Sequence, residues 1–197
     1  MLEVTNKTVE TIFNGSAVYI KRYPSLLALV KDWTAAQSCR GQGIQKVLGR
    51  NDERLEIHYE YEPSAIPMNC FALNQIGLFL DILPLIIKTI RHCHTKGWVH
   101  GDIKPSNILY LPKTHTVRLI DFGAFERIGR DRRQFEQWQL TPCFASENQL
   151  KGLGIVEPND DWYSLLKLID QVVEIETDED NLEQIKRQVS FIKAMKS

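Results

Sequence analysis

Val99-His100-Gly101-Asp102-Ile103-Lys104-Pro105-Ser106-Asn107-Ile108-Leu109-Tyr110, followed after a short turn by Val117-Arg118-Leu119-Ile120-Asp121-Phe122-Gly123, is the stretch that decides the fold. Asp102 and Asn107 lie on a segment broken by Pro105, where the ring fixes φ and removes a backbone donor. The apolar runs at 108–111 and 117–120 read as two short strands joined by 112–116. Such a hairpin brings Asp121 back beside Asn107. A carboxylate and a carboxamide at one spot suit a hard cation such as Mg²⁺, which prefers oxygen ligands. Asp102, clear of that cation, is then able to orient a hydroxyl nucleophile and accept its proton. Lys104 points a fixed positive charge at the same place.

These residues resemble the catalytic core of the protein kinases, in the loop Asp102-x-Lys104-Pro105-x-Asn107 and in Asp121-Phe122-Gly123. The resemblance implies an α+β, two-lobed protein-kinase-like fold. A reduced N-lobe sheet with one helix is followed by a truncated, mostly helical C-lobe. It implies one domain over 1–197, with an N-lobe at about 1–62, a hinge at about 62–67 and a C-lobe at about 68–197. It also implies a short, eukaryotic-like Ser/Thr protein kinase of bacterial or phage type that uses ATP and Mg²⁺ on a protein substrate. Asp102 would orient the hydroxyl, Asn107 and Asp121 would hold Mg²⁺, and Lys104 would neutralise phosphate charge.

Upstream, 9–13 and 17–21 flank Asn14-Gly15-Ser16, a hairpin turn signal. The second strand resembles the kinase strand whose lysine holds nucleotide phosphates, which makes Lys21 the candidate. The glycine-rich cover of the family is missing from Thr5-Asn6-Lys7-Thr8. Close approach of backbone to phosphate usually needs glycine, so a loose hold on ATP is expected. Ser25 caps a helix at 25–39 whose apolar stripe reads Leu26, Leu29, Val30, Trp33 and Ala36. The family has a glutamate there to pair with the strand lysine; this helix offers only Asp32. Asp32 is the candidate partner of Lys21, with an exposed surface acid as the alternative. Strands are expected at 45–48 and 54–61, then the link Glu62-Pro63-Ser64.

A second helix is expected from Asp81, with Pro84 in its first turn, a stripe of Leu85, Ile86, Ile90 and Cys93, and a stop near Gly97. His100 is expected inside, bracing the catalytic loop. Residues 124–140 stand where the family has its activation loop. They carry Arg127, Arg130, Arg132 and Arg133, which read as a solvated face, and contain no Ser, Thr or Tyr. Phe135, Trp138 and pairs to Glu136 or nearby acids are expected to order them. Thr141-Pro142-Cys143-Phe144-Ala145-Ser146 resembles the end of that loop, and Asp161 matches the acid that caps the catalytic loop. Leu182, Ile185, Val189 and Ile192 mark a last helix. The resemblance covers about 9–170 and leaves that helix out.

With 197 residues, 43% apolar content and a net charge of −1, the composition is that of a globular domain with no sign of a nucleic-acid or membrane partner. The apolar stretch at 76–90 is interrupted by Asp81, Pro84 and Lys88 and is too short to span a bilayer. Met1-Leu2-Glu3 is no secretion leader. The four cysteines lack metal spacing and read as reduced, mostly buried thiols of a cytoplasmic protein. Two other readings stay open: a partner-binding pseudokinase, and a small-molecule phosphotransferase of the aminoglycoside or choline kinase-like type, which also favours His-Gly-Asp.

Overall fold

The computed structural model describes residues 7–13, 16–71, 75–135 and 138–195, the first seven and Ser16 by backbone alone. Thr5 and Asn6 ahead of the hairpin, its turn residues Asn14 and Gly15, and Glu136 lie outside the described residues. Strands β1 (Lys7–Phe13) and β2 (Ser16–Arg22) pair antiparallel. They continue through β4 (Glu56–Glu60) to β3 (Val47–Asn51) in the sheet order β1-β2-β4-β3. Both later strands are shifted slightly from their expected bounds. Side chains alternate across a strand, so Val18 and Ile20 share one face of β2 while Tyr19 and Lys21 share the other. Register sets Tyr19 opposite Tyr59 and Lys21 opposite Ile57.

Helix α1 (Leu26–Ser38) is capped by Ser25, whose hydroxyl accepts the Ala28 N–H at 3.2 Å. Its inner face differs from the expected stripe. Leu26 and Val30 are exposed, and Leu29, Asp32, Ala35 and Ala36 are buried. The bond from Asp32 to the sheet decides that rotation, because residues 29, 32 and 36 share one side of a helix.

Helix α2 (Ile76–Thr95) starts five residues earlier than Asp81, and Pro84 sits in its interior rather than its first turn. Proline removes the N–H that would reach the Leu80 carbonyl, a defect of about 3 kcal/mol. Burial of Ile82, Leu83, Ile86, Ile87 and Ile90 on the same helix outweighs it, at about 1.5–3 kcal/mol per side chain. Leu85 is only half buried. The helix ends at Thr95, with Lys96 as its C-cap before Gly97 at φ 79°.

A short pair follows: β5 (Ile66–Pro67) lies beside the hairpin of β7 (Ile108–Leu111) and β8 (Thr116–Leu119), and β6 (Trp98–Val99) pairs with β9 (Glu126–Arg127). The rest is helical: α3 (Glu147–Lys151), α4 (Asn159–Val173) and α5 (Glu179–Ala194). Ile185 and Ile192 of α5 join Leu165 and Ile169 of α4 and the α2 stripe in one core. The result is a β-rich N-terminal lobe and a helical C-terminal lobe. Of the four thiols, Cys39 and Cys93 are buried but Cys70 and Cys143 are exposed, so the expectation of mostly buried cysteines holds for only half of them.

Candidate active site

The β7–β8 hairpin sets Ile108 opposite Leu119, and the Ile120 N–H donates to the Asn107 carbonyl at 3.0 Å. Asp121 therefore follows directly beside Asn107. Its backbone is left-handed, at φ 65°, a conformation that costs a non-glycine residue of order 1–3 kcal/mol and is found mainly where function requires it. The Asn107 amide nitrogen donates to the Asp102 carbonyl at 2.9 Å and to Asp102 Oδ2 at 3.2 Å, which turns the amide oxygen away from Asp102. Lys104 Nζ lies 2.7 Å from Asp102 Oδ2 and donates to Thr141 Oγ1 at 2.7 Å. Asp102 is 3% exposed, and its Oδ1 is a buried oxygen without a hydrogen-bond partner. Buried polar atoms are normally satisfied, so an orphaned acceptor marks a place where a donor from outside fits.

The loop is locked from below by Asp161 at the start of α4. Its carboxylate accepts the His100 N–H at 2.9 Å and the Gly101 N–H at 2.9 Å, and meets His94 Nε2 at 2.8 Å. Burial works to raise the Asp161 pKa, but His94 and the His100 amide outweigh it and hold the carboxyl below its usual value. His100 is fully buried. Its Nδ1 accepts the Asp102 N–H at 3.3 Å, so a neutral ring carries its proton on Nε2 and donates to the Ile120 carbonyl at 3.1 Å. One ring thus braces both ends of the site. Gly101 has φ 78°, and a Cβ there would lie 2.6 Å from the Ala124 carbonyl oxygen.

From the N-terminal lobe, Lys21 Nζ donates to Asp32 Oδ2 at 2.9 Å and to Asp121 Oδ1 at 2.8 Å. Asp32 is 2% exposed, which removes the surface-acid alternative. Burial disfavours the ammonium, yet the two carboxylates more than compensate and lift its pKa above the ordinary lysine range. The stretch expected to link the lobes is pinned as well: Glu62 Oε1 accepts from Ser64 Oγ at 2.6 Å and from Lys113 Nζ at 3.2 Å.

The donor set bears on which cation fits. The candidate donors are one carboxylate, Asp121, and one amide oxygen, Asn107, joined through the Ile120–Asn107 backbone bond, and among the described residues no group of three or more His, Cys, Asp or Glu could hold a metal. That is too few for an all-protein cage. It suits Mg²⁺, which is held by one or two carboxylates with phosphates supplying the rest. The expected residues fall in two groups, Lys21 with Asp32 and Asp121, and Asp102 with Lys104 and Asn107, joined by the Ile120–Asn107 backbone bond.

Three features escape a reading of the sequence. Tyr23 Oη donates to Asp32 Oδ2 at 2.9 Å and meets Tyr59 Oη at 3.0 Å; the alternation Tyr19, Lys21, Tyr23 was the available signal. Gln149 Nε2 donates to the Gly101 carbonyl at 2.9 Å from α3, whose start Ser146 and Gln149 cap reciprocally. Arg132 belongs to no solvated face. It is 4% exposed, ion-paired with Asp160 and hydrogen-bonded to the carbonyls of Leu153 and Ile155.

A family model described as the protein kinase domain matches residues 74–194, more than half of the chain. The chain belongs to the protein kinase domain family. The match takes in the catalytic loop, Asp121-Phe122-Gly123 and α5, and begins after the N-terminal sheet. It therefore corrects the expected extent of the resemblance, which left α5 out. Ribosomal protein S6 kinase alpha-6 of Homo sapiens is 33% identical over 84 residues, which are 41% of this chain and 10% of that protein. Ribosomal protein S6 kinase 2 alpha of Xenopus laevis is 34% identical over 89 residues, 42% and 12% respectively. Calcium/calmodulin-dependent protein kinase type II subunit delta of Oryctolagus cuniculus is 33% identical over 79 residues, 39% and 15%. The kinase domain described here matches only a small fraction of the length of each.

Proposed function

We propose that this chain is a phosphotransferase that carries the terminal phosphoryl group of ATP to a Ser or Thr hydroxyl of a protein, working as one domain over 1–197 with N-lobe, hinge and C-lobe at about 1–62, 62–67 and 68–197. The observation that carries the reading is the orphaned Oδ1 of Asp102, buried beside Lys104 and one hydrogen bond from Asn107. In this reading Asp102 accepts a hydrogen bond from the acceptor hydroxyl at Oδ1 and takes its proton as the new bond forms. Lys104, 2.7 Å from Asp102 Oδ2, offers charge to the phosphoryl oxygens. Lys21, steadied by Asp32, neutralises phosphate charge from the opposite side. Asn107 and Asp121 would hold Mg²⁺, which supplies further neutralisation of phosphate charge when bound. Little covalent chemistry is asked of the protein; positioning and electrostatics carry the rate.

A protein acceptor is supported by the similar proteins, which are protein kinases by name, and by the Lys104–Thr141 contact beside Asp102. Free thiols at all four cysteines support a reducing, cytoplasmic setting. No helix among the described residues is long and apolar enough to cross a membrane.

The test is incubation with labelled ATP and Mg²⁺ alongside a panel of protein and small-molecule acceptors. Label is expected on protein Ser or Thr. Asp102→Asn is expected to lower the rate by about 10²–10⁴-fold, and Asp121→Ala to abolish it while the fold persists. EDTA is expected to stop the reaction, and Mg²⁺ or Mn²⁺ without Zn²⁺ to restore it. Label that survives EDTA, or appears only on small acceptors, overturns the proposal.

A further inference from the structure

Tyr23 and Tyr59 are buried polar side chains that none of the chemistry above uses. Tyr23 is 7% exposed, Tyr59 2% and Asp32 2%. A carboxylate only accepts, so the Tyr23 hydroxyl gives its single proton to Asp32 Oδ2 at 2.9 Å. Tyr59, 3.0 Å from the Tyr23 oxygen, must then be the donor of that pair. The hydrogen bonds run in one direction, from Tyr59 on β4 through Tyr23 at the end of β2 to Asp32 on α1. The same Oδ2 takes the Lys21 ammonium at 2.9 Å, and that ammonium also lies 5.1 Å from the Tyr23 ring centroid. Burial first, and then the neighbouring negative charge, raises both hydroxyls above the usual tyrosine range, so their protons stay in place.

We infer that Tyr23 is a positioning residue for Lys21, acting through Asp32, and that it makes good the missing methylene of an acid too short to hold its helix and its lysine unaided. The inference rests on the reading of Lys21 as the phosphate-contacting lysine. Asp32 is anchored at one oxygen by two donors from different directions, which fixes where Lys21 can stand. Without the Tyr23 hydroxyl, Asp32 keeps only Lys21 among the described residues, and Lys21 is shared with Asp121 2.8 Å away. The ammonium then loses its fixed position between α1 and Asp121. Tyr59 adds the outer tie: it stacks on Phe122, next to Asp121, with centroids 6.3 Å apart.

A set of four proteins tests this: the wild type, Tyr23→Phe, Asp32→Glu, and the two changes together. Tyr23→Phe is expected to lower kcat about tenfold or more, the scale of one hydrogen bond to a charged group, with the KM for the protein acceptor unchanged. Asp32→Glu alone is expected to lower kcat as well, because 2.9 Å to the Tyr23 oxygen leaves no room for an added methylene. Combined, the longer acid fills the space left by the hydroxyl, and kcat is expected to return to within about threefold of the wild type. A side chain that merely packs would not be rescued by lengthening its neighbour. Full activity in Tyr23→Phe, or a double variant no better than its worse parent, overturns the inference. If the wild type neither binds Mg·ATP by calorimetry nor transfers phosphate, the reading of Lys21 fails instead. Thermal unfolding of the same four proteins then decides: non-additive midpoints support the Tyr23–Asp32 tie, and additive ones refute it.

Discussion

Gly101 has no room for a side chain, since a Cβ there would lie 2.6 Å from the Ala124 carbonyl oxygen. Its φ of 78° belongs to glycine, its N–H is held by Asp161 and its carbonyl by Gln149. Gly101→Ala is expected to lower unfolding stability by about 1–3 kcal/mol; a urea midpoint equal to the wild type would contradict the geometry. The same crowding means no side chain at this position can reach out to receive a phosphate. The candidate site residues were legible from type and spacing: Asp102, Lys104, Asn107 and Asp121 because they crowd into one broken segment and one hairpin, Lys21 because it ends a strand. Tyr23 and Tyr59 were not, since a tyrosine in a strand reads as core until its hydroxyl has a partner. That partner lies on another element: Tyr23 is nine residues from Asp32 and thirty-six from Tyr59.

Among elements, the stretch 124–140 departs from the reading of its sequence. Four arginines over 127–133 look like solvated charge, yet Arg132 turns inward to Asp160 while Arg133 pairs with Asp131 at the surface. The difference is one of tertiary partners: the Asp131–Ile155 bridge and the Arg132 N–H bond to Gly154 carry this stretch against the loop before α4. Exposed pairs contribute little, whereas removing one member of a buried pair costs about 3–5 kcal/mol. Arg132→Met is therefore expected to destabilise the domain by several kcal/mol, where Trp138→Ala, at a side chain 41% exposed, has a smaller effect. With this anchor in place and no hydroxyl at 124–140, protein expressed with a phosphatase should show the same initial rate as untreated protein. A large loss, restored by preincubation with ATP, would reveal control by a phosphosite. Helix α2 was misread at its start for a related reason. Pro84 and Asp81 look like boundary residues, and only the depth of the core behind Phe79 and Leu80 shows that burial overrides them.

For the whole molecule, the two acids that open α4 respond to pH in opposite senses. Asp161 has a lowered pKa in the folded state, so the unfolded chain takes up its proton first. Its contribution to stability is complete above the ordinary value of 3.8 and is lost as the pH falls through the lower folded value. Asp160 is raised, by burial before anything else and despite Arg132, so acid relieves it. The stability gap between wild type and Asp161→Asn should accordingly close between about pH 5 and pH 2, followed by chemical unfolding at each pH. A gap constant over that range would mean the carboxylate is not what the loop depends on. The order of the lobes was legible because the hairpin and helices follow local patterns. How Lys21 reaches Asp121, a hundred residues away, was visible only through resemblance.

The grip of Asp161 on two consecutive amides also sets a clock. Loop N–H groups ordinarily trade their hydrogens with solvent through small local openings. Those of His100 and Gly101 are bound to a carboxylate with no solvent exposure, so they can escape only when α4 and the loop part company. In deuterium oxide these two sites should keep their protons about as long as the middle of α2 does, and the surface turn at 112–115 should lose its own far sooner. The loop proposed to carry the chemistry would then be among the slowest to open.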